Sequence, residues 1–152
     1  MNINIITVGK VKDYYQKAID EYLKRSKPFS NIKIIEVKET ITNDIDKNIN
    51  EEAKAILNYI NDSDYVITLE IEGNSIDSFA FKDLIYNHFL YSDKMIAFVI
   101  GGSNGMGEVI LKRSNYRLSF GKVTYPHQLM RVILVEQIYR AIMINNNSKY
   151  HK

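Results

Sequence analysis

Apolar positions along this chain alternate between two periods, every second residue and every third or fourth, and the switches mark out its elements. Ile3 to Val8 reads as a strand closed by Gly9, and Asp13 to Arg25 as a helix with Tyr15, Ala18, Ile19, Tyr22 and Leu23 on one stripe. Ile32 to Val37 alternates and is rich in β-branched residues, so it predicts a second strand. Thr40 to Lys47 reads as a polar loop, and Ile49 to Ile60 as a helix ended by Asn61 to Asp64. Tyr65 to Ile71 predicts a third strand, closed by Gly73-Asn74, and Asp77 or Ser78 can cap a helix through Leu90 that buries Phe81, Leu84, Ile85, His88 and Phe89. Met95 to Ile100 is a buried strand, Glu108 to Arg113 a short helical piece and Tyr116 to Phe120 a fifth strand. The longest amphipathic run, Gln128 to Ile144, presents Met130, Ile133, Leu134, Ile138, Ala141 and Ile142 as its apolar face.

Strands alternating with helices predict an α/β fold, a mostly parallel sheet flanked by helices, with residues 1–152 forming one domain. In open α/β sheets ligands bind at the carboxyl ends of strands. Three such ends carry unusual residues: Leu69 to Gly73, Gly101 to Gly107 and Phe120 to Pro126. A pocket lined by those three loops is the expectation.

The middle loop is the most distinctive. Four of the seven glycines (Gly101, Gly102, Gly105 and Gly107) fall within it, where backbone N–H groups can approach a ligand closely. The two commonest glycine-loop motifs do not fit. No glycine triple has the i, i+2, i+5 spacing of a dinucleotide fingerprint, and Gly107 is followed by Glu108 rather than the Lys-Ser/Thr of a P-loop.

Composition narrows the classes further. The 152 residues, 45% hydrophobic, can bury a sizeable core. The chain has no cysteine, which excludes disulfides and thiolate metal sites, and His88, His127 and His151 are too scattered in sequence to suggest a metal cluster. The first residues have no signal-peptide layout and no apolar run approaches a membrane span, so a soluble cytoplasmic protein is expected, with no membrane partner. The net charge of +2 is unevenly spread. Eight basic residues between Lys112 and Lys152 face one acidic residue, Glu136, a balance of +7 that leaves −5 for residues 1–111. Such a split suggests a polyanionic partner, although a solvated helix face with Glu136 and Arg140 paired at i, i+4 would explain part of it.

The run FVIGG-x-x-G, then LSFGKVTYPHQLMRVILVEQIYRA, then a terminal YHK, resembles the RlmH family of SPOUT-class (α/β-knot) methyltransferases. The likeness extends to ITVGKVKDYY and TLEIEG, and so covers essentially the whole chain; Tyr125 and the polar Asn145-Asn146-Asn147 depart from the usual pattern. The resemblance implies a C-terminal trefoil knot, a homodimer, and transfer of a methyl group from S-adenosyl-L-methionine to N3 of a pseudouridine in helix 69 of 23S rRNA in the 70S ribosome, with no metal. Carried over by position, the cofactor contacts fall on Leu69, Gly101, Phe120, Gly121, Lys122, Val123, Thr124 and Tyr125.

Candidates for the chemistry are His127, Arg140, Tyr150 and His151, with Arg131 beside them. A histidine can accept the N3 proton, and Arg140 can stabilise a developing uracil oxyanion or bind phosphate. By the same resemblance, Tyr150 and His151 are expected to close over the target base from the other subunit. Each has a bland alternative: His127 can be helix-end packing, and the tail residues sit where chain ends are usually disordered. A flavodoxin-type nucleotide module and a catalytically silent RNA-binding protein are the alternatives to an enzyme.

Overall fold

A computed structural model describes residues 1–152. Five strands, β1 (Asn2–Val8), β2 (Asn31–Val37), β3 (Tyr65–Ser75), β4 (Ile96–Ile100) and β5 (Tyr116–Ser119), form one sheet in the order β2-β1-β4-β3-β5. Every pairing is parallel, so all five carboxyl ends emerge at the same edge. Helices α1 (Asp13–Ser26), α3 (Ser78–Tyr91) and α5 (His127–Asn145) pack together on one face, and α2 (Ile45–Leu57) and α4 (Glu108–Arg113) on the other.

The strands supply both faces by alternation. In β4, Ile96, Phe98 and Ile100 enter the core beneath α1, α3 and α5, while Ala97 and Val99 face α2 and α4. The first core holds 17 buried residues against nine in the second, so the α5 side carries most of the hydrophobic stabilisation. No helix is long and apolar enough to cross a membrane.

Four elements differ from the sequence reading. Helix α2 begins at Ile45, inside the segment read as a loop. Asp44 accepts the Lys47 N–H at 3.0 Å as N-cap, and Thr42 and Asn48 bond each other beside it, so a polar stretch starts a helix. Strand β3 does not stop at Gly73-Asn74 but resumes pairing after a bulge, with Leu69 and Asn74 both opposite Leu118. Gly73 makes this possible, because a Cβ there would lie 2.7 Å from the Leu118 carbonyl carbon. The buried stripe of α5 is also rotated: it runs Arg131, Leu134, Val135, Ile138, Ala141, Ile142, with Arg131 fully buried and Ile133 only partly so. His88, expected in the core, is only half-buried. It stacks on Tyr65 with ring centroids 4.9 Å apart and meets the Lys94 carbonyl oxygen at 2.8 Å through Nε2.

Candidate functional site

The carboxyl edge of β3, β4 and β5 opens into a cavity of about 690 Å3, within the usual range of small-molecule sites. Its walls are the three loops expected from the sequence. Leu69, Gly101, Phe120, Gly121, Val123, Thr124, Tyr125 and His127 all line it; Lys122 belongs to the same loop but is exposed and off the wall. The lining is mainly apolar and backbone, with Ile100, Leu118, Met106 and Met130 beside Leu69. No group of three or more potential metal-ligating residues exists in the structure.

Each wall has a structural cause. The bulge in β3 throws Glu70, Ile71 and Glu72 out of the ladder and into the first wall. Glu70 is held there by Arg117, whose Nε donates to Oε1 at 2.6 Å and whose Nη2 donates to Oε2, and by the Thr68 hydroxyl at 3.0 Å. The Arg117 guanidinium accordingly holds the Glu70 carboxyl below the usual carboxylate range.

The glycine loop forms the second wall, folded on itself by an antiparallel bridge between Gly102 and Gly105. Gly101 is where the loop closes most tightly: a Cβ there would lie 2.8 Å from the Gly105 carbonyl oxygen. Behind the loop stand two carboxylates that sequence reading missed. Glu39 accepts from the Ser103 hydroxyl at 3.3 Å, and the buried Glu52 accepts the Thr40 N–H at 3.1 Å while its other oxygen abuts Gly102. Burial pushes the Glu52 carboxyl above its ordinary value. Neither residue belongs to a recognisable motif; α2 carries Glu52 to the loop, and the segment after β2 carries Glu39.

The third wall ends at the start of α5. His127 lines the cavity, and burial, helped by the neighbouring Arg131 charge, holds its imidazole below the usual value and therefore neutral at pH 7. Arg131 itself does not reach the cavity. Its Nη2 donates to the carbonyl oxygens of Val8 (2.6 Å) and Gly9 (2.9 Å) and its Nη1 to Glu36 (2.8 Å), with Nε left unpartnered.

Arg140, Tyr150 and His151 are brought together, but away from this chain's own cavity. Arg140 pairs with Glu136, which also accepts from the Tyr150 hydroxyl at 3.0 Å; an Arg140 Nη1 meets His151 Nδ1 at 3.2 Å. The Tyr150 ring lies 4.9 Å from the Arg140 guanidinium carbon and edge-on to Tyr139, and His151 packs edge-on to Phe79. Burial pushes the Tyr150 phenol far above the tyrosine range, and Glu136 adds to it.

The basic C-terminal segment is less free than its charge suggests. Arg113 donates to the carbonyl oxygens of Asn61, Asp62 and Asp64, and Arg117, Arg131 and Arg140 are each paired with a glutamate. Lys112, Lys122, Lys149 and Lys152 make no ion pair and carry the charge left for a partner.

Comparison with known proteins agrees with this architecture. A family model described as "Predicted SPOUT methyltransferase" matches residues 1–151. The chain is 50% identical to the ribosomal RNA large subunit methyltransferase H of Clostridium botulinum strain 657 and 49% identical to that of strain Kyoto, in both cases over the whole length of both chains. Among solved structures it is similar to a probable methylase family protein from Haemophilus influenzae Rd KW20, with a TM-score of 0.59 at 13% identity over 99% of this chain and 70% of that one. The α/β sheet with its cavity at the carboxyl edge is thus a SPOUT fold, and the chain belongs to the SPOUT methyltransferase family, within the group of ribosomal RNA large subunit methyltransferase H proteins.

Proposed function

We propose that this protein is an S-adenosyl-L-methionine-dependent methyltransferase that methylates N3 of a pseudouridine in helix 69 of 23S rRNA, acting as a homodimer on the 70S ribosome in the cytoplasm. The observation that carries the reading is the cavity at the ends of β3, β4 and β5, considered with relatives named for ribosomal RNA methylation. The knotted threading and the homodimer belong to the same reading, supported by family membership and by loops 101–107 and 120–126 sharing one cavity.

The residues present fit the methyl donor. Leu69, Ile100 and Leu118 offer an apolar slot for a flat adenine, and the peptide groups of Gly101, Phe120, Gly121, Val123, Thr124 and Tyr125 offer edges for its nitrogens. The donor supplies an electrophilic methyl group on a sulfonium. With the donor bound, its methyl group would pass to N3, the bonding pair remaining on sulfur and the N3 proton leaving. What the chain must do is align the two in line and take up the N3 proton. His127, neutral and on the cavity wall, is the group in this chain suited to accept that proton, directly or through water. It also puts no second positive charge beside the sulfonium. Arg140, Tyr150 and His151, distant from their own cavity, serve the partner protomer's cavity in this reading, with Arg140 stabilising the uracil oxyanion.

The experiment uses tritiated S-adenosyl-L-methionine and 70S ribosomes from a strain lacking this methylation, with and without the pseudouridine synthase. Label in 23S rRNA only when pseudouridine is present is the expected result. No label in either sample, despite measurable donor binding, overturns the ribosomal assignment.

A further inference from the structure

The large cavity has a smaller neighbour. Across the start of α5, Lys12, Tyr14, Tyr15, Pro126, His127 and Gln128 enclose about 190 Å3, and Pro126 and His127 belong to both hollows. The methyl-donor reading makes no use of it. At this size it lies below the usual range of whole-cofactor sites and has room for little more than one planar ring.

Its floor is fixed and its rim is open. The Lys12 main-chain N–H donates to the Gln128 side-chain oxygen at 2.9 Å, tying the start of α1 to the start of α5. Tyr14 leans on Tyr15, with ring centroids 4.5 Å apart and planes at 52°, yet remains 62% exposed. The Lys12 ammonium lies 6.0 Å from the Tyr14 ring centroid and makes no ion pair. Lys10 is exposed two residues earlier, and the exposed Asp13 is the one carboxylate among these neighbours in sequence. An open aromatic ring with ammonium groups beside it is suited to stacking an unpaired base and neutralising its phosphate.

We propose that this hollow is a second nucleotide subsite, taking the base and phosphate of a nucleotide that flanks the methylated one on a single-stranded stretch of RNA. The proposal rests on the rRNA methyltransferase reading above. The shared His127–Pro126 wall sets the two occupants side by side, as neighbours along one strand require. Stacking on Tyr14 then holds the strand while the target base enters the larger cavity.

The test compares Tyr14→Leu, Tyr14→Phe and Lys12→Ala in the full chain, with 70S ribosomes as substrate and donor affinity followed by calorimetry. Tyr14→Leu is expected to raise the KM for ribosomes about tenfold, with donor affinity unchanged, and Tyr14→Phe to stay near wild type because it keeps the ring. Lys12→Ala is expected to weaken ribosome binding and lower the salt slope by about one. An unchanged ribosome KM in Tyr14→Leu, or a matching loss of donor affinity, overturns the subsite. A wild-type protein that binds donor but labels no ribosome overturns the substrate reading itself, an outcome visible before any variant is made.

Discussion

Arg131 donates from one guanidinium nitrogen to the carbonyl oxygens of both Val8 and Gly9, at 2.6 and 2.9 Å, and so ties the last helix to the end of the first strand. Those carbonyls lie where β1 ends and cannot be paired further along the ladder. The arginine occupies a core position because it satisfies them, not because it is tolerated there.

Arg131→Met should therefore destabilise the fold, although it restores an apolar residue to a buried stripe. Two carbonyl oxygens and the Glu36 carboxylate lose their donor, and a loss of about 3 kcal/mol is expected in urea unfolding at fixed protein concentration. Arg131→Lys should fall between the two, since an ammonium cannot reproduce the fork.

His127 predicts a pH dependence. Its folded pKa lies below the ordinary histidine value of 6.5, so between the two values the unfolded chain binds more protons than the native one. The His127 contribution to stability is thus fully present above pH 6.5 and is lost as pH falls through the folded value. Wild type and His127→Gln, followed by thermal unfolding between pH 7.5 and about 4.5, should diverge in that window, with the variant showing the shallower fall. Parallel curves would contradict the assignment.

Gly101→Ala tests the glycine loop. The added methyl carbon would lie 2.8 Å from the Gly105 carbonyl oxygen, a backbone atom that cannot swing away, so the loop must open. Donor affinity should fall by at least about tenfold by calorimetry. The core strands should remain, because Gly101 follows β4 rather than lying within it.

Arg140→Ala and Tyr150→Phe separate the tail cluster from the donor cavity. Neither residue lines its own donor cavity, and the proposed mechanism has the cluster act on the target base rather than the donor, so donor affinity should be unchanged in both. Under the proposed mechanism kcat on ribosomes should drop about a hundredfold for Arg140→Ala. It should drop less for Tyr150→Phe, which keeps the ring beside Arg140 and gives up only the hydroxyl bond to Glu136. Wild-type kcat in Arg140→Ala would assign the cluster to folding alone.

Much of this was legible in the pattern of the chain, and what was not has identifiable causes. The strand ends at Leu69, Gly101 and Phe120 could be grouped because a parallel sheet puts all its carboxyl ends on one edge. The start of α2 was hidden because its N-terminal stabilisation comes from Thr42, Asp44 and Asn48, residues equally at home in a loop. The continuation of β3 was hidden because Gly73 ordinarily ends a strand, and here allows two chains to approach instead. The sequence sets Arg131 beside the candidates for the chemistry, whereas the structure buries it away from the cavity. Its i, i+3, i+7 spacing to Leu134 and Ile138 was the available signal that it faces the core.

The edge position of β5 governs when the site can come into being. Residues 116–127 hold the last strand of the sheet in chain order and the turn after it, which together make a full wall of the cavity. A chain emerging from synthesis can pair its first four strands and still have nowhere to hold a ligand. A ligand of the finished cavity therefore binds only the completed molecule, and adds stability by mass action only once residues 128–152, behind that wall, have packed against α1 and α3.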